Sequence, residues 1–284
     1  MAYAWIIYGA NGYTGRLIAE EARRRRMTPM IAGRSESKIR PLAEQLSLPW
    51  RCFPLDDAQK VAREIADARI VLNCAGPFSA TAEVMIDACL SVGAHYLDIT
   101  GEIDVFEYAH SRNDDARSSG VALCPGVGFD VIPTDCVAAR LKEALPDATQ
   151  LTLGFDTRSG LSVGTAKTSV ERLPDGGAIR KDGKIRRVPL GYRTRRIDFG
   201  NGEKLAVTIP SGDVATAYYT TNIPNVETYI AVPQRMLKTM RRLNWVRPLL
   251  GMSWVQKSAK ARIEKKNQWP RSGTTQGNAD IRLG

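Results

Sequence analysis

Apolar positions in the first half of the chain fall in short blocks separated by amphipathic stretches of helical length. Residues 4–8, "AWIIY", suit a strand buried on both faces, and Arg16 to Arg25 suit a helix with Leu17, Ile18 and Ala22 on one side. A second strand ends at Gly33, a helix covers 36–46, and "WRCFPLDD" opens a third strand. Residues 69–74 make a fourth strand and 80–92 a helix. Strand 95–99, helix 102–118 and strand 120–124 complete the series. Alternation over about 125 residues predicts an α/β fold with a doubly wound parallel sheet.

The pattern changes near Cys136. A helix runs to Ala144, after which strands dominate at 150–157, 184–189, 193–199, 203–209 and 226–232. Turns fall at "PDGG", "KDGK" and "GNGE", and their Asp-Gly and Asn-Gly pairs signal antiparallel hairpins. A helix containing 164–172 is expected to pack on that sheet. The expected organisation is therefore a first domain over 1–135 and an α+β domain with a largely antiparallel sheet over 136–284.

The first strand–helix junction, "YGANGYTG", carries glycines at 9, 12 and 15. Gly9 permits the tight turn, Gly12 clears the approach of a pyrophosphate, and Gly15 lets the helix come close to the sheet. The N–H groups and positive dipole end of that helix would then face phosphate. The second strand ends in Gly33, Arg34 and Ser35, with Lys38 one turn later and no acid at the strand end. A carboxylate there would bind a ribose 2′-hydroxyl, whereas a guanidinium grips a 2′-phosphate, so the cofactor expected is NADP(H). Asp56 is a candidate for the adenine side or for capping the helix from Ala58, and Asp57 is read as a helix cap. Ala75 and Gly76 leave room at the carboxyl end of the fourth strand, where ligands sit in such sheets.

Composition narrows the function classes. The 284 residues are 43% apolar but contain no run of about 18 apolar residues, so no spanning helix is expected. The start, "MAYAWIIYG", lacks a basic leader, and a cytoplasmic location follows as the expectation. Cys52, Cys74, Cys89, Cys124 and Cys136 form no Cys-x-x-Cys pair, and His95 and His110 have no cysteine cluster nearby, so no metal site is expected. The net charge of +10 is local: residues 235–266 hold ten basic residues and one acid, Glu264, which makes +9. A general nucleic-acid surface is not supported. That segment is amphipathic, with Met236, Leu237, Met240 and Leu243 at helical spacing and Trp245 and Trp254 beyond, so peripheral contact of 235–266 with an anionic membrane, or admission of an acyl chain, is one reading of it. The competing reading is a helix covering its own domain with a solvated basic face. A homodimer stays open.

Taken together, "YGANGYTG", "AGRS", "VLNCAGPF", "GAHYLDITGE" and "PGVGFDVIPTD" resemble, in order, the saccharopine-dehydrogenase-like oxidoreductases, in the branch that includes the trans-acting enoyl reductases. The resemblance covers residues 5 to about 235. It implies a Rossmann-type NADP-binding domain followed by an α+β domain that covers the nicotinamide. It also implies reduction of a carbon–carbon double bond in a hydrophobic acyl substrate. Carried over, it assigns Gly9, Ala10, Asn11, Gly12, Tyr13, Thr14 and Gly15 to the pyrophosphate loop, and Arg34 and Ser35 to the 2′-phosphate. Cys74, Ala75, Gly76, Pro77 and Phe78 fall on the ribose and nicotinamide side, and Thr100, Gly101, Glu102, Phe129 and Asp130 at the mouth. The family continues with strands and a helix returning to the first domain, so this chain is expected to lack that segment, and residues 267–284 read as polar and irregular.

Hydride transfer asks the protein mainly for placement, and reduction of an activated double bond also needs a proton. No tyrosine has lysine four residues later; Tyr108 with Arg112 comes nearest, which argues against short-chain-dehydrogenase apparatus. Glu102 and Asp130 are the candidate proton donors, each with a competing structural role. Cys124 and Cys136 lack a histidine base and read as structural thiols, as His95 reads as a structural ring. Two alternatives stand beside the enoyl reading: an amino-acid or imine dehydrogenase of the saccharopine type, and a noncatalytic NADP-binding protein associated with membranes or partners.

Overall fold

Ile6 and Tyr8 pack to one side of the first strand and Ile7 to the other, which is why that strand is apolar throughout. The computed structural model describes residues 4–156, 163–200, 202–266 and 282–283. The chain divides into two compact units, Met1–Ile132 and Pro133–Gly284.

The first unit runs β1 (Trp5–Tyr8), α1 (Tyr13–Arg24), β2 (Met30–Gly33), α2 (Glu36–Leu46), β3 (Trp50–Cys52), α3 (Ala58–Ile65) and β4 (Ile70–Asn73). A 3-10 turn at Phe78–Ala80 leads to α4 (Ala82–Val92), β5 (His95–Asp98), α5 (Ile103–Ser111), α6 (Asn113–Ser119) and β6 (Leu123–Cys124). All six strands are parallel, in the order β3-β2-β1-β4-β5-β6. One layer joins Ile6, Tyr8 and Val71 to Val61, Met85 and Ile86 of α3 and α4. The other joins Ile7 and Ile31 to Ala19 of α1 and Ile39 and Leu42 of α2. This is the doubly wound sheet expected from the alternation.

Three boundaries differ from expectation. The single helix over 102–118 is two, turning at Arg112, because Asn113, Asp114 and Asp115 form a fresh acidic helix start. The sixth strand shrinks to two residues, since Gly120, left-handed at φ +63°, first closes α6. The third strand stops at Cys52, two residues before Pro54.

The second unit contains α7 (Ile132–Ala144), β7 (Gln150–Asp156), α8 (Val163–Arg172), β8 (Gly177–Lys181), β9 (Lys184–Val188), β10 (Thr194–Asp198) and β11 (Glu203–Ile209). It continues with α9 (Asp213–Thr221), β12 (Asn225–Ala231), α10 (Gln234–Leu250), α11 (Ser253–Lys266) and β13 (Arg282–Leu283). Its sheet follows β10-β11-β12-β7-β13, with β8 on β12 and β9 on β8; among the described strands only β12 and β7 run parallel. The hairpin at "KDGK" forms with Asp182 and Gly183 both left-handed. At "GNGE", Asp198 accepts from the N–H groups of Gly200 and Gly202 at 2.8 and 3.0 Å. "PDGG" makes no hairpin: it closes a 3-10 turn and feeds β8, a strand not anticipated. Helix α9 was also not anticipated, because "DVATAYYTT" is rich in β-branched and aromatic residues, yet Val214, Ala215 and Ala217 bury one helical face. Of the tail expected to be irregular, Arg282–Leu283 pair with β7 as a strand, and the remainder lies outside the described residues.

Candidate cofactor site

The strand order of the first unit reverses between β1 and β4, and the loops that follow these neighbours leave toward opposite sides of the sheet. They meet closely. A Cβ on Gly9 would lie 2.8 Å from the Ala75 nitrogen, and Gly9 itself is left-handed at φ +79°. The Cys74 N–H donates to the Tyr8 carbonyl at 2.8 Å, and the Gly9 N–H to Ala32 at 2.8 Å, so the crevice is held from three strands.

The three glycines divide the work. A Cβ on Gly15 would meet the Gly9 oxygen at 2.5 Å and the Ala10 Cα at 2.9 Å, so Gly15 permits helix–strand contact. A Cβ on Gly12 would meet only that same oxygen, at 3.2 Å, and otherwise opens outward. Gly12 is the N-cap of α1, with no side-chain cap bond and no acid in the first turn. The first-turn N–H groups, which an α-helix leaves unpaired internally, therefore face outward beside exposed Asn11, Tyr13 and Thr14. Ala10 is fully buried and acts through backbone placement. Asn11 reaches over β2: its Oδ1 lies 2.8 Å from where a Gly33 Cβ would stand.

Arg34 stands exposed just beyond β2, and Ser35 opens α2 as an N-cap without a side-chain cap bond. The Ser35 hydroxyl lies 3.1 Å from that of Ser37, and Lys38 is exposed on the first turn. Asp56 is exposed and pairs with Lys60 at 3.8 Å, while Asp57 caps α3 by accepting from the N–H groups of Gln59 and Lys60. Those two bonds, the Lys60 one foremost, hold the Asp57 carboxyl below its usual range.

At the far side of the switch point, Cys74, Ala75, Pro77 and Phe78 are half-buried and Gly76 is exposed, with a cis Gly76–Pro77 peptide. Burial, with nearby Asp98, pushes the Cys74 thiol up to about 12, so it is held neutral. Glu102 is buried and accepts with both oxygens, from the Phe78 N–H at 2.8 Å and the Ser79 N–H at 3.0 Å. That geometry supports anchoring of the 74–78 loop rather than proton donation. Thr100 is buried too, its hydroxyl accepting from the Glu102 N–H at 3.0 Å. Asp130 is exposed as a residue, but its carboxyl turns onto Gly101, where a Cβ would lie 1.5 Å from Oδ2. Loss of solvent there raises its pKa. Phe129 beside it is 63% exposed.

Two buried polar residues escaped the sequence reading. Asn73 ends β4 and accepts the Ala75 N–H at 3.0 Å. Asp98 ends β5 and accepts from the N–H groups of Thr100 and Gly126 at 2.9 and 2.8 Å, and from the Tyr96 hydroxyl at 2.6 Å. The available signal was a polar residue closing each of the two strands, after Ile-Val-Leu in β4 and Tyr-Leu in β5. His95 accepts the Ala122 N–H at 3.0 Å, a structural role, and Arg112 donates to Tyr108 on a helical surface at 2.9 Å. Among the described residues no group of three or more His, Cys, Asp or Glu is arranged to hold a metal.

A reversed strand order, an uncapped helix start behind Gly12 and a cation beyond β2 make the first unit a Rossmann-type dinucleotide-binding domain. Residues 5–124, which fall within the first unit, match the family described as saccharopine dehydrogenase NADP binding domain. The chain is 27% identical over 202 residues to a mouse saccharopine dehydrogenase-like oxidoreductase, covering 62% of this chain and 47% of the mouse protein. It is 30% identical over 156 residues to the trans-acting enoyl reductase of Mycobacterium bovis, covering 51% and 37%. The chain thus spans about half the length, or less, of these relatives. Apo saccharopine dehydrogenase (L-Glu forming) from Saccharomyces cerevisiae shares the fold, with a TM-score of 0.61, 12% identity, and coverage of 85% of this chain and 57% of that one.

Proposed function

We propose that this protein is an NADP-dependent oxidoreductase that reduces an unsaturated, hydrophobic acyl substrate. The observation that carries the cofactor half is Arg34, exposed beyond β2 with no acid at the strand end, where β2 pairs with β1, the strand that feeds the uncapped start of α1. The residues present fit a phosphorylated dinucleotide: space at Gly12 for a pyrophosphate, and a guanidinium and two serines for a 2′-phosphate. Bound NADPH supplies the hydride. The chain's own part is to hold the two anionic ends, to keep the 74–78 loop in place through Glu102 and Asn73, and to supply a proton.

Asp130 is the better proton source of the two carboxylates. Its raised pKa keeps the acid form to higher pH, whereas Glu102 already accepts two N–H groups. The acyl half of the proposal draws on the 30% identity to a trans-acting enoyl reductase. NADPH oxidation in single turnover with a panel of enoyl thioesters tests it. Turnover with one chain-length class supports the reading. Tight NADPH binding without turnover across the panel points instead to a noncatalytic binding protein, and turnover only with amino-acid or imine substrates to a saccharopine-type dehydrogenase.

A further inference from the structure

The basic segment forms α10 and α11, and α10 docks on its own unit by one face. Leu237 is its single buried residue and packs with Val207 and Val232. Asn244 brackets Leu190, accepting its N–H and donating to its carbonyl, both at 2.9 Å. Arg241 donates to the Gly191 carbonyl at 3.4 Å. Positions 237, 241 and 244 share one side of a helix. The apolar stripe read from the sequence is therefore divided: Leu237 and Met240 face inward, and Met236 is 51% exposed.

The opposite face is the unusual one. Arg235, Lys238 and Arg242 lie exposed along its first half, and Trp245, Val246 and Leu249 along its second. Trp245 is 90% exposed, and Trp254, at the start of α11, 69%. A tryptophan presents about 150–250 Å² of surface, so leaving two in water is unfavourable unless something covers them. No acidic residue occurs between Glu227 and Glu264. A second copy of this chain would set cations against cations. No helix among the described residues is long and apolar enough to cross a membrane.

We propose that the outward face of α10 lies flat on an anionic lipid surface. Arg235, Lys238 and Arg242 meet headgroup phosphates while Trp245 and Leu249 enter the interface. The occupant must be negative and apolar at once, at the spacing of one helix, which a bilayer of acidic phospholipid supplies.

Flotation with vesicles of phosphatidylglycerol in phosphatidylcholine, against pure phosphatidylcholine, tests this on the full chain. Binding is expected only to the acidic vesicles. Trp245→Ser should weaken it about tenfold, and Lys238→Gln with Arg242→Gln about twentyfold. Both variants change exposed side chains, so melting temperature and NADPH affinity should stay unchanged, which separates this outcome from failure of the cofactor reading. Three results would overturn the proposal: no binding, equal binding to neutral vesicles, or binding insensitive to Trp245→Ser. Self-association abolished by Trp245→Ser would overturn it too, assigning the face to a second copy. So would tighter binding to a polyanion such as heparin than to vesicles.

Discussion

Asn73 and Asp98 stand side by side in parallel register at the ends of β4 and β5, both fully buried, and the Tyr96 hydroxyl links them. The two carry neighbouring loops: Asn73 holds Ala75 after β4, and Asp98 holds Thr100 after β5 and Gly126 after β6. A pair of apolar residues in these places would leave those N–H groups without acceptors.

The position of Asp98 makes stability depend on pH. Burial raises its pKa from 3.8 to about 6, despite the bonds from Tyr96, Thr100 and Gly126 that favour the charged form. A carboxyl raised on folding contributes stability that is present below pH 4 and is lost as pH rises through about 6. The loss attributable to this group is about 3 kcal/mol at most. Urea unfolding of wild type and Asp98→Asn from pH 4 to pH 7 should show a declining difference that levels off above about pH 6. A pH-independent difference would contradict the assignment.

Much of the first unit was legible because the central strands β1, β2 and β4 are covered on both faces and the helices on one, so burial is written directly as apolar blocks and stripes. The glycine loop was legible because backbone needs at 9 and 15 leave glycine as the residue that fits. Asn73 and Asp98 were not, since their partners are backbone groups brought near by the sheet and not by sequence spacing. Nor was α9, where tertiary burial of Val214 and Ala217 outweighs local preference, or the division of α10 between an inward and an outward face.

The three glycines should separate when each is changed to alanine. Gly15→Ala sets a methyl against backbone at 2.5 Å that cannot yield easily, so it should destabilise by about 2–3 kcal/mol. Gly12→Ala meets a single backbone oxygen at 3.2 Å and places alanine at an N-cap, so it should cost clearly less stability than Gly15→Ala. Its methyl nevertheless occupies the approach to α1, so NADPH affinity should fall at least about tenfold. Thermal melting beside NADPH fluorescence titration reads both, and equal damage to folding and binding in the two variants would refute the division.

Arg34→Ala should weaken NADP(H) by about 10- to 100-fold, the range of one charge-assisted phosphate contact, and leave NAD(H) nearly unchanged. Removing the exposed side chain disturbs no buried packing, so stability should hold. Isothermal titration with both cofactors decides it. A parallel loss for NAD(H) would mean that Arg34 acts on something the two nucleotides share.

The two carboxylates near the carboxyl edge should respond in opposite ways. Glu102→Gln turns one acceptor into a donor facing an N–H, so it should destabilise by about 1–3 kcal/mol and loosen the loop from Pro77 to Ser79. Asp130→Asn removes a charge that desolvation already disfavours, so its stability should not fall near neutral pH. If Asp130 delivers the proton, NADPH oxidation by Asp130→Asn should drop about a hundredfold at unchanged NADPH affinity. The wild-type rate should then fall as pH rises through the raised carboxyl pKa, because the acid form is the one needed, and the variant should lose that dependence. Full activity in Asp130→Asn, with loss only in Glu102→Gln, would transfer the proton to Glu102.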